Sequence, residues 1–325
     1  MRPVTVVHRS GGRWQWPGLP CIMLLVCLGN GLLIGLCLLL LHHLLAAPSV
    51  SCAPRFLLGD LPPAPPALSS SVPQLLEELA RELATVREGG SWESADCPEG
   101  LNWGRQLALL IPFLGCWADV AVLLHRLLPL LQRQKAAFSV FVVEQTSGEA
   151  NLGLSLNAAV QRLEAEGLLR ECLLFVSPHL LPGTDTVPFA CDLDGPRVLG
   201  STGGQNTSSG FHSELPLLAL SKQRLLAANG FSPRYAGQAD GRAAFHDLLL
   251  RLNEVRGGFV ADEPLLLGRH RFVNLCNASL PSDAELFLPP LLPKAERGGL
   301  SSLDSAEVSV RLEPQALFTL VKVAS

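Results

Sequence analysis

Two short apolar runs separated by a helical pattern form the most regular stretch of the chain. The first run covers residues 107–113, and the second, rich in β-branched side chains, covers residues 138–143. Between them apolar residues recur at the spacing of one helix face: Val120, Leu123, Leu124, Leu127, Leu128 and Leu131. A strand, a helix and a second strand in this order predict a βαβ unit, which pairs its strands in parallel with a right-handed crossover.

The alternation of helices and strands continues toward the carboxyl terminus. Further helices are predicted at residues 154–168 and 243–255. A third is predicted between them, where Ser221 caps its start and Asn229-Gly230 ends it. Further strands are predicted at residues 171–176 and within the apolar runs of 259–267 and 308–323, whereas the glycine-rich residues 184–213 are predicted to form loops. The pattern therefore predicts an α/β domain with a mostly parallel sheet.

A long uncharged segment near the amino terminus changes this picture. Residues 21–41 contain no charged side chain and are long enough to cross ~30 Å of hydrocarbon as a helix. Arg2, Arg9 and Arg13 precede the segment, so the positive-inside rule places residues 1–20 in the cytosol and the remainder in the lumen. The alternative is a cleaved signal peptide, which the length and late start of the apolar run disfavour.

Residues 42–96 are predicted to form a stem between the membrane span and a globular domain at residues 97–325. The first part is rich in proline, and such a segment buries no core and is extended. A short amphipathic helix is predicted near its end, with one apolar face that consists of Leu75, Leu76, Leu79, Leu83 and Val86.

Composition and cysteine usage agree with a lumenal protein. The net charge of −4 over 325 residues gives no indication of a nucleic-acid partner. Six cysteines lie beyond the apolar segment, where disulfides persist: Cys52, Cys97, Cys116, Cys172, Cys191 and Cys276. Asn206 and Asn277 each begin an N-x-S/T sequence in a predicted loop and are candidate glycosylation sites.

Several motifs resemble the β-1,4-galactosyltransferase family in their order and spacing. The segments Ile111-Pro-Phe, Leu130-Leu-Gln-Arg-Gln134 and residues 142–145 correspond to the family pattern IPFRNR…LQRQ…YVINQ. Farther along, Ala219-Leu-Ser-Lys-Gln223 and Asn229-Gly-Phe231 correspond to ALSKQ and NGF. The resemblance covers most of residues 50–260 and fades beyond residue 268.

The resemblance implies a GT-A fold, with a Rossmann-like sheet, in a single-pass type II protein of the Golgi membrane. It implies transfer of galactose from UDP-galactose to a terminal N-acetylglucosamine of a glycan, with Mn²⁺ as the cofactor. It also implies disulfides between Cys172 and Cys191 and between Cys52 and Cys97. In the nucleotide site it implies that Pro112 and Phe113 are retained family positions, although strand-end packing explains both equally well.

The metal site of the family has no equivalent set of ligands in this sequence. Its Asp-Val-Asp motif falls on Ser177-Pro178-His179, so His179 is either a replacement ligand or an ordinary loop histidine. Two further family ligands fall on Phe272 and Leu275, which bind no metal, and His270 lies close by. An Asp-x-Asp at residues 192–194 is displaced from the strand end, and we interpret it as a solvated turn.

The family residues that contact phosphate and acceptor are also replaced. Its Arg-Asn-Arg falls on Leu114-Gly115-Cys116, and its Phe-Asn-Arg falls on residues 151–153. Two cations that would meet the diphosphate or uridine are therefore missing. Its tryptophan-rich and acidic acceptor segment falls on residues 236–244, where Asp240 is out of register. Asp247 is the next carboxylate, and helical spacing predicts it to be an exposed helix residue.

Two functional hypotheses follow from this contrast between retained scaffold and replaced chemistry. One is a galactosyltransferase with weak or altered activity. The other is a non-catalytic member that binds a glycan or an active Golgi glycosyltransferase.

Overall fold

A computed structural model describes residues 72–94, 106–183, 187–191, 196–200, 217–237, 241–256, 272–274, 293, 296, 298–303 and 307–325. The helices are α1 (Val72–Glu82), α2 (Trp117–Arg133), α3 (Leu152–Ala165), α4 (Lys222–Ala227) and α5 (Arg242–Arg256). The strands are β1 (Ser91–Trp92), β2 (Gln106–Pro112), β3 (Ala137–Gln145), β4 (Cys172–Phe175), β5 (Leu180–Pro182), β6 (Arg197–Gly200), β7 (Leu217–Ser221), β8 (Phe272–Asn274), β9 (Ser309–Pro314) and β10 (Thr319–Ala324).

Several predictions fall outside the described residues. These are the membrane span at residues 21–41, the cysteines Cys52 and Cys97, the glycosylation candidates Asn206 and Asn277, and the strand at residues 259–267. None of the helices described here has the length and apolar character that a membrane span requires.

The main sheet is mixed, with a parallel centre and antiparallel flanks. Its strand order is β6-β7-β4-β2-β3-β10-β9, and β1 pairs with β3 beside this path. β2 runs parallel to both β3 and β4, and β10 runs parallel to β3. The predicted βαβ unit is thus confirmed, and so is the α/β class. The antiparallel pairings of β7 with β4 and of β9 with β10 were not predicted.

The central strands alternate their side chains between two apolar layers. In β2, Leu107, Leu109 and Ile111 face one layer, whereas Ala108 and Leu110 face the other. The first layer is covered by α1 and α2, and the second by α3, α4 and α5. Because a fully buried leucine contributes about 1.5–3 kcal/mol, these two layers supply most of the stabilisation of the domain.

The predicted starts and stops of α4 are confirmed. Ser221 is the N-cap, and its side chain accepts a hydrogen bond from the backbone N–H of Arg224 at 3.4 Å. The chain leaves the helix through Asn229 and Gly230, whose φ angles of 60° and 65° lie in the left-handed region that these residue types tolerate.

Residues 72–94, which the sequence assigned to the stem, contribute to the core of the domain. α1 buries Leu79 in the layer that also contains α2, Leu83 directly after the helix is buried there too, and β1 pairs with β3. Between them Gly90 has a φ of 79° and lies against the backbone of Leu317, where a Cβ would collide. The described globular part therefore begins before residue 97.

The sequence patterns missed the short strands β1, β5 and β8, and they also missed β6 and β7 of the main sheet. Residues 197–200, predicted as loop, form the edge strand β6, so that prediction was wrong for this segment. Residues 217–220 of β7 are buried throughout, so they show no alternation from which a strand is recognised.

The disulfide between Cys172 and Cys191 is confirmed, and it links β4 to the segment that precedes β6. The same segment is fastened by the buried side chain of Gln134. Its amide donates to the carbonyl oxygen of Val187 at 2.8 Å and accepts from the N–H of Phe189 at 3.3 Å. Disulfide and amide together fix a connection that has little regular structure of its own.

We expect the double variant Cys172→Ala/Cys191→Ala to lose about 3 kcal/mol in free energy of unfolding, because the bond closes a 19-residue separation. Urea unfolding of the oxidised wild type and of the variant measures this difference. Peptide mapping without reduction provides the control, and free thiols at both positions in the wild type would contradict the structure.

Candidate functional site

A cleft of 310 Å³ lies at the carboxyl ends of β2 and β3, and we call it the strand-end cleft. Ligands of open α/β sheets bind at this edge, because loops diverge there and helix amino termini point toward it. The lining residues are Phe113, Leu114, Val143, Gln145, Thr146, Ser147, Gly148, Ala150, Asn151, Leu152 and Ser155.

The end of β2 builds one wall of the cleft. Pro112 is buried and has no N–H to extend the ladder, and the N–H of Phe113 donates to the carbonyl oxygen of Val143 at 2.7 Å. The ring of Phe113 packs on that of Trp117 with 4.6 Å between centroids. Of the two retained family positions, Phe113 therefore lines the cleft, and Pro112 ends the strand behind it.

Gln145, the last residue of β3, organises the opposite wall. Its side-chain oxygen accepts hydrogen bonds from the N–H of Asn151 at 2.8 Å and from the hydroxyl of Ser155 at 3.0 Å. Its side-chain nitrogen donates to the carbonyl oxygens of Ser147 at 3.0 Å and Glu149 at 2.7 Å. One amide thus holds the loop at residues 146–150 against the start of α3.

Asn151 fixes the next part of the wall. Its side chain caps α3 by accepting from the N–H of Leu154 at 2.9 Å, and its amide nitrogen donates to the carbonyl oxygen of Pro233 at 2.6 Å. The role of neither amide was predicted from the sequence. A polar residue that ends an apolar strand, followed by an asparagine before a helix, is the signal that could have identified them.

The cleft is electrically neutral over the residues that the structure describes. None of the described lining residues carries a charge. Leu114 occupies the position of the first arginine in the family motif, and its side chain packs against the second apolar layer. Cys116, at the position of the second arginine, is a half-buried free thiol. A diphosphate here would therefore find none of the charge-assisted contacts that an arginine supplies.

His179 lies beyond β4, where it faces the first turn of α2. Its Nδ1 is 3.1 Å from Oδ2 of Asp119, and both side chains are largely buried. The buried Nδ1 of His179 has no hydrogen-bond partner in the structure, so the two atoms are close without a formed hydrogen bond. The contact between His179 and Asp119 was not predicted, because residues 60 positions apart leave no local signal in the sequence.

The donor set at His179 does not fit Mn²⁺. Such an ion prefers several hard oxygen ligands, and the described neighbours supply one carboxylate and one imidazole. Within the ranges of the chain that the structure describes, no three His, Cys, Asp or Glu side chains form a group able to hold a metal. His270, Leu275 and residues 192–194 lie outside those ranges.

The prediction that Asp247 is exposed was wrong. Its side chain is 0% exposed and accepts from the Nε of Arg251 at 2.6 Å, one helical turn later. Arg251 also donates to the carbonyl oxygen of Gly298 at 2.7 Å. Because both charges are buried and paired, Asp247 has a structural role. Its position on the helix, which suggested exposure, lies on the inward face of α5. Asp240 lies outside the described residues.

Other retained family residues also have structural roles. Lys222 forms ion pairs with Glu164 at 3.2 Å and Glu171 at 3.0 Å. Burial works to lower its pKa, but the hydrogen bonds to Glu171 and Glu164 raise the pKa overall. The ring of Phe231 contacts Phe175 and Phe245 edge-on, with centroids 5.1 and 4.9 Å apart. Both residues thus connect parts of the fold to the sheet.

We expect Gln145→Met to lower the free energy of unfolding by about 2 kcal/mol, because the five hydrogen bonds of its side chain, including a long one of 3.5 Å to the hydroxyl of Ser325, are lost. Hydrogen exchange at residues 146–150 should accelerate in the same variant. Gln132→Met is the matched control, since that side chain makes one exposed hydrogen bond to Thr85 at 3.1 Å. Equal effects from the two substitutions would contradict the role assigned to Gln145.

Comparison with known proteins assigns residues 64–192 to the N-terminal region of glycosyl transferase group 7. The chain is 32% identical over 117 residues to human β-1,4-galactosyltransferase 5, and the matched region covers 36% of this chain and 29% of that protein. It is 30% identical over 214 residues to β-1,4-galactosyltransferase 3 of Rattus norvegicus, and the matched region covers 61% of this chain and 51% of the relative. The chain thus spans about half or less of these relatives' lengths.

A similar fold occurs in a Drosophila β-1,4-galactosyltransferase 7, solved as a complex with manganese, UDP-Gal and xylobiose. The two share 16% identity with a TM-score of 0.50, and the match covers 67% of this chain and 93% of the solved chain. The mixed α/β architecture therefore matches the fold of that solved chain. Together with the sequence matches, it shows that this chain is similar to the β-1,4-galactosyltransferases.

Proposed function

We propose that this protein is a Golgi membrane protein with a domain of the galactosyltransferase type. We propose further that this domain binds a partner and does not catalyse the Mn²⁺-dependent transfer of galactose. The observation that carries the proposal is the neutral lining of the strand-end cleft. Its partners would be a glycan or an active Golgi glycosyltransferase.

Electrostatics supports this proposal. The diphosphate of UDP-galactose carries two negative charges, and the departing UDP gains more as the sugar leaves. Neutralising that charge with a metal ion or arginines is worth several kcal/mol, which corresponds to several powers of ten in rate. Here Leu114 lies where the family has an arginine, and Ser177-Pro178-His179 replaces its Asp-Val-Asp.

The cleft is better matched to an uncharged, hydroxylated ligand. The ring of Phe113 supplies an apolar wall, and Thr146 and Ser147 lie on the exposed loop opposite. Their hydroxyls donate to the carbonyl oxygens of Val323 and Ser325, so they are left to accept hydrogen bonds from the hydroxyls of a ligand. Such pairing of an apolar surface with a few polar groups fixes a neutral ligand without charge compensation. A sugar has this chemistry, and a nucleotide diphosphate does not.

The Golgi location rests on the amino-terminal sequence. An uncharged run at residues 21–41 and the arginines before it support a signal anchor with the domain in the lumen. The disulfide between Cys172 and Cys191 is consistent with an oxidising compartment.

A second candidate function is residual transfer of galactose from UDP-galactose to N-acetylglucosamine. Membership in the family favours it, since the similar proteins are named as galactosyltransferases and one is solved with manganese and UDP-Gal. In that case His179 and Asp119, whose Nδ1 and Oδ2 are 3.1 Å apart, are the described residues closest in kind to metal ligands.

We expect Mn²⁺ and UDP-galactose, added together to the full chain, to leave the Tm unchanged and to yield no galactosylated N-acetylglucosamine. Thermal unfolding and a product assay by mass spectrometry measure these outcomes. A Tm increase with product formation would overturn the binding proposal, and His179→Ala would then show whether that imidazole holds the metal.

Restoring a cation should create nucleotide binding in the cleft. We expect Leu114→Arg to bind UDP at least ~10-fold more tightly than the wild type at low salt, because a charge-assisted hydrogen bond contributes about 1.5–3 kcal/mol. Titration calorimetry measures the affinities, and the neutral Leu114→Gln is the matched control. Tight UDP binding by the wild type would show that the cleft already compensates the diphosphate.

A further inference from the structure

A second cavity lies between α1 and the turn that joins β9 to β10, and we call it the α1 groove. Its volume is 440 Å³. Leu76, Glu77, Ala80 and Arg81 form one wall, and Leu317 and Phe318 form the other. None of the described residues that line the strand-end cleft also lines the α1 groove. What binds in the groove is therefore independent of the proposed function of the cleft.

The floor of the α1 groove is apolar and firmly held. Leu317 and Phe318 are buried, and Leu76 and Ala80 pack against the same apolar layer. The turn is closed by a 2.8 Å hydrogen bond from the N–H of Gln315 to the carbonyl oxygen of Phe318. The N–H of Gly89 also donates to the carbonyl oxygen of Gln315 at 2.8 Å. A fixed apolar recess of this kind favours an apolar ligand.

The rim of the α1 groove carries one charge of each sign. Glu77 and Arg81 are exposed, and they lie one helical turn apart on α1 with the acidic residue nearer the amino terminus. A peptide that runs parallel to α1 would therefore complement the groove if it had a basic residue first, opposite Glu77, then apolar residues, and then an acidic residue opposite Arg81.

The chain itself contains such a segment shortly before α1. Residues 55–61 read Arg-Phe-Leu-Leu-Gly-Asp-Leu, in which Arg55 and Asp60 flank the apolar residues 56–58. The surrounding stem consists mainly of proline, alanine and serine, so these residues form its most apolar part. We propose that residues 55–61 dock in the α1 groove, with Arg55 toward Glu77 and Asp60 toward Arg81.

The connecting chain is long enough for this arrangement. Residues 62–71 join the docking segment to Val72, and ten residues span at most ~33 Å when extended. The 11 residues of α1 extend about 16 Å at 1.5 Å per residue, so a parallel segment is reached with length to spare. The covalent tether also gives the segment a high effective concentration at the groove.

Hydrogen exchange of the full chain tests this proposal. We expect the amides of residues 56–60 to exchange at least ~10-fold more slowly than unprotected amides of the same sequence, as ~90% occupancy of a docked state requires. Ala80→Trp fills the groove and should abolish this protection. Ala84→Trp, at an exposed position outside the groove, is the matched control and should retain it.

Folding is monitored in the same experiment through the amides of β2, which should remain protected in both variants. Unprotected amides in the wild type, or protection that survives Ala80→Trp, would overturn the proposal. Protection that depends on protein concentration would place a second copy in the groove and would equally overturn it.

A charge exchange tests the orientation. Arg55→Glu and Glu77→Arg should each accelerate exchange at residues 56–60, and the double variant should restore protection. Glu78→Arg is the control, because Glu78 is exposed on α1 but does not line the groove. Faster exchange in the double variant than in either single variant would exclude the parallel arrangement.

Discussion

The burial of β2 between two parallel neighbours is the constraint on which the rest of the structure depends. Its ladder with β3 runs from Gln106 opposite Ala137 to Pro112 opposite Val143, and its other edge pairs with β4. Because both faces of the strand are covered, a slip by one residue would exchange the two apolar layers. The register therefore fixes where Phe113 and Gln145 emerge, and with them the two walls of the strand-end cleft.

Much of this arrangement could be predicted from the sequence, because its central elements have strong local patterns. The helical spacing of α2 and the apolar runs of β2 and β3 defined the βαβ unit, and Ser221 and Gly230 marked the ends of α4. The disulfide was accessible only through the resemblance to a family. β6 and β7 were missed, since β6 is a four-residue edge strand in a glycine-rich segment and β7 is buried without any alternation, so neither has a periodicity that distinguishes it from a loop or helix.

The candidate site was less accessible to sequence reasoning because its contacts join distant positions. The contact between His179 and Asp119 and the pairing of Asn151 with Pro233 depend on how loops meet in space. Family motifs identified Phe113 and Gln145 but not what they do. In the structure, the polar groups of Gln134, Gln145 and Lys222 all bind other parts of the fold, so these motif residues have a structural role whether or not the domain is catalytic.

The aromatic residues beside the cleft give the molecule an intrinsic optical probe. The ring of Trp117 lies 4.6 Å from that of Phe113 and 5.7 Å from that of Phe318, measured between centroids. Phe113 borders one cavity and Phe318 the other, so a single indole lies between the two recesses. Once the other four tryptophans of the chain are replaced, the emission wavelength of Trp117 becomes a label-free measure of the environment between the two recesses.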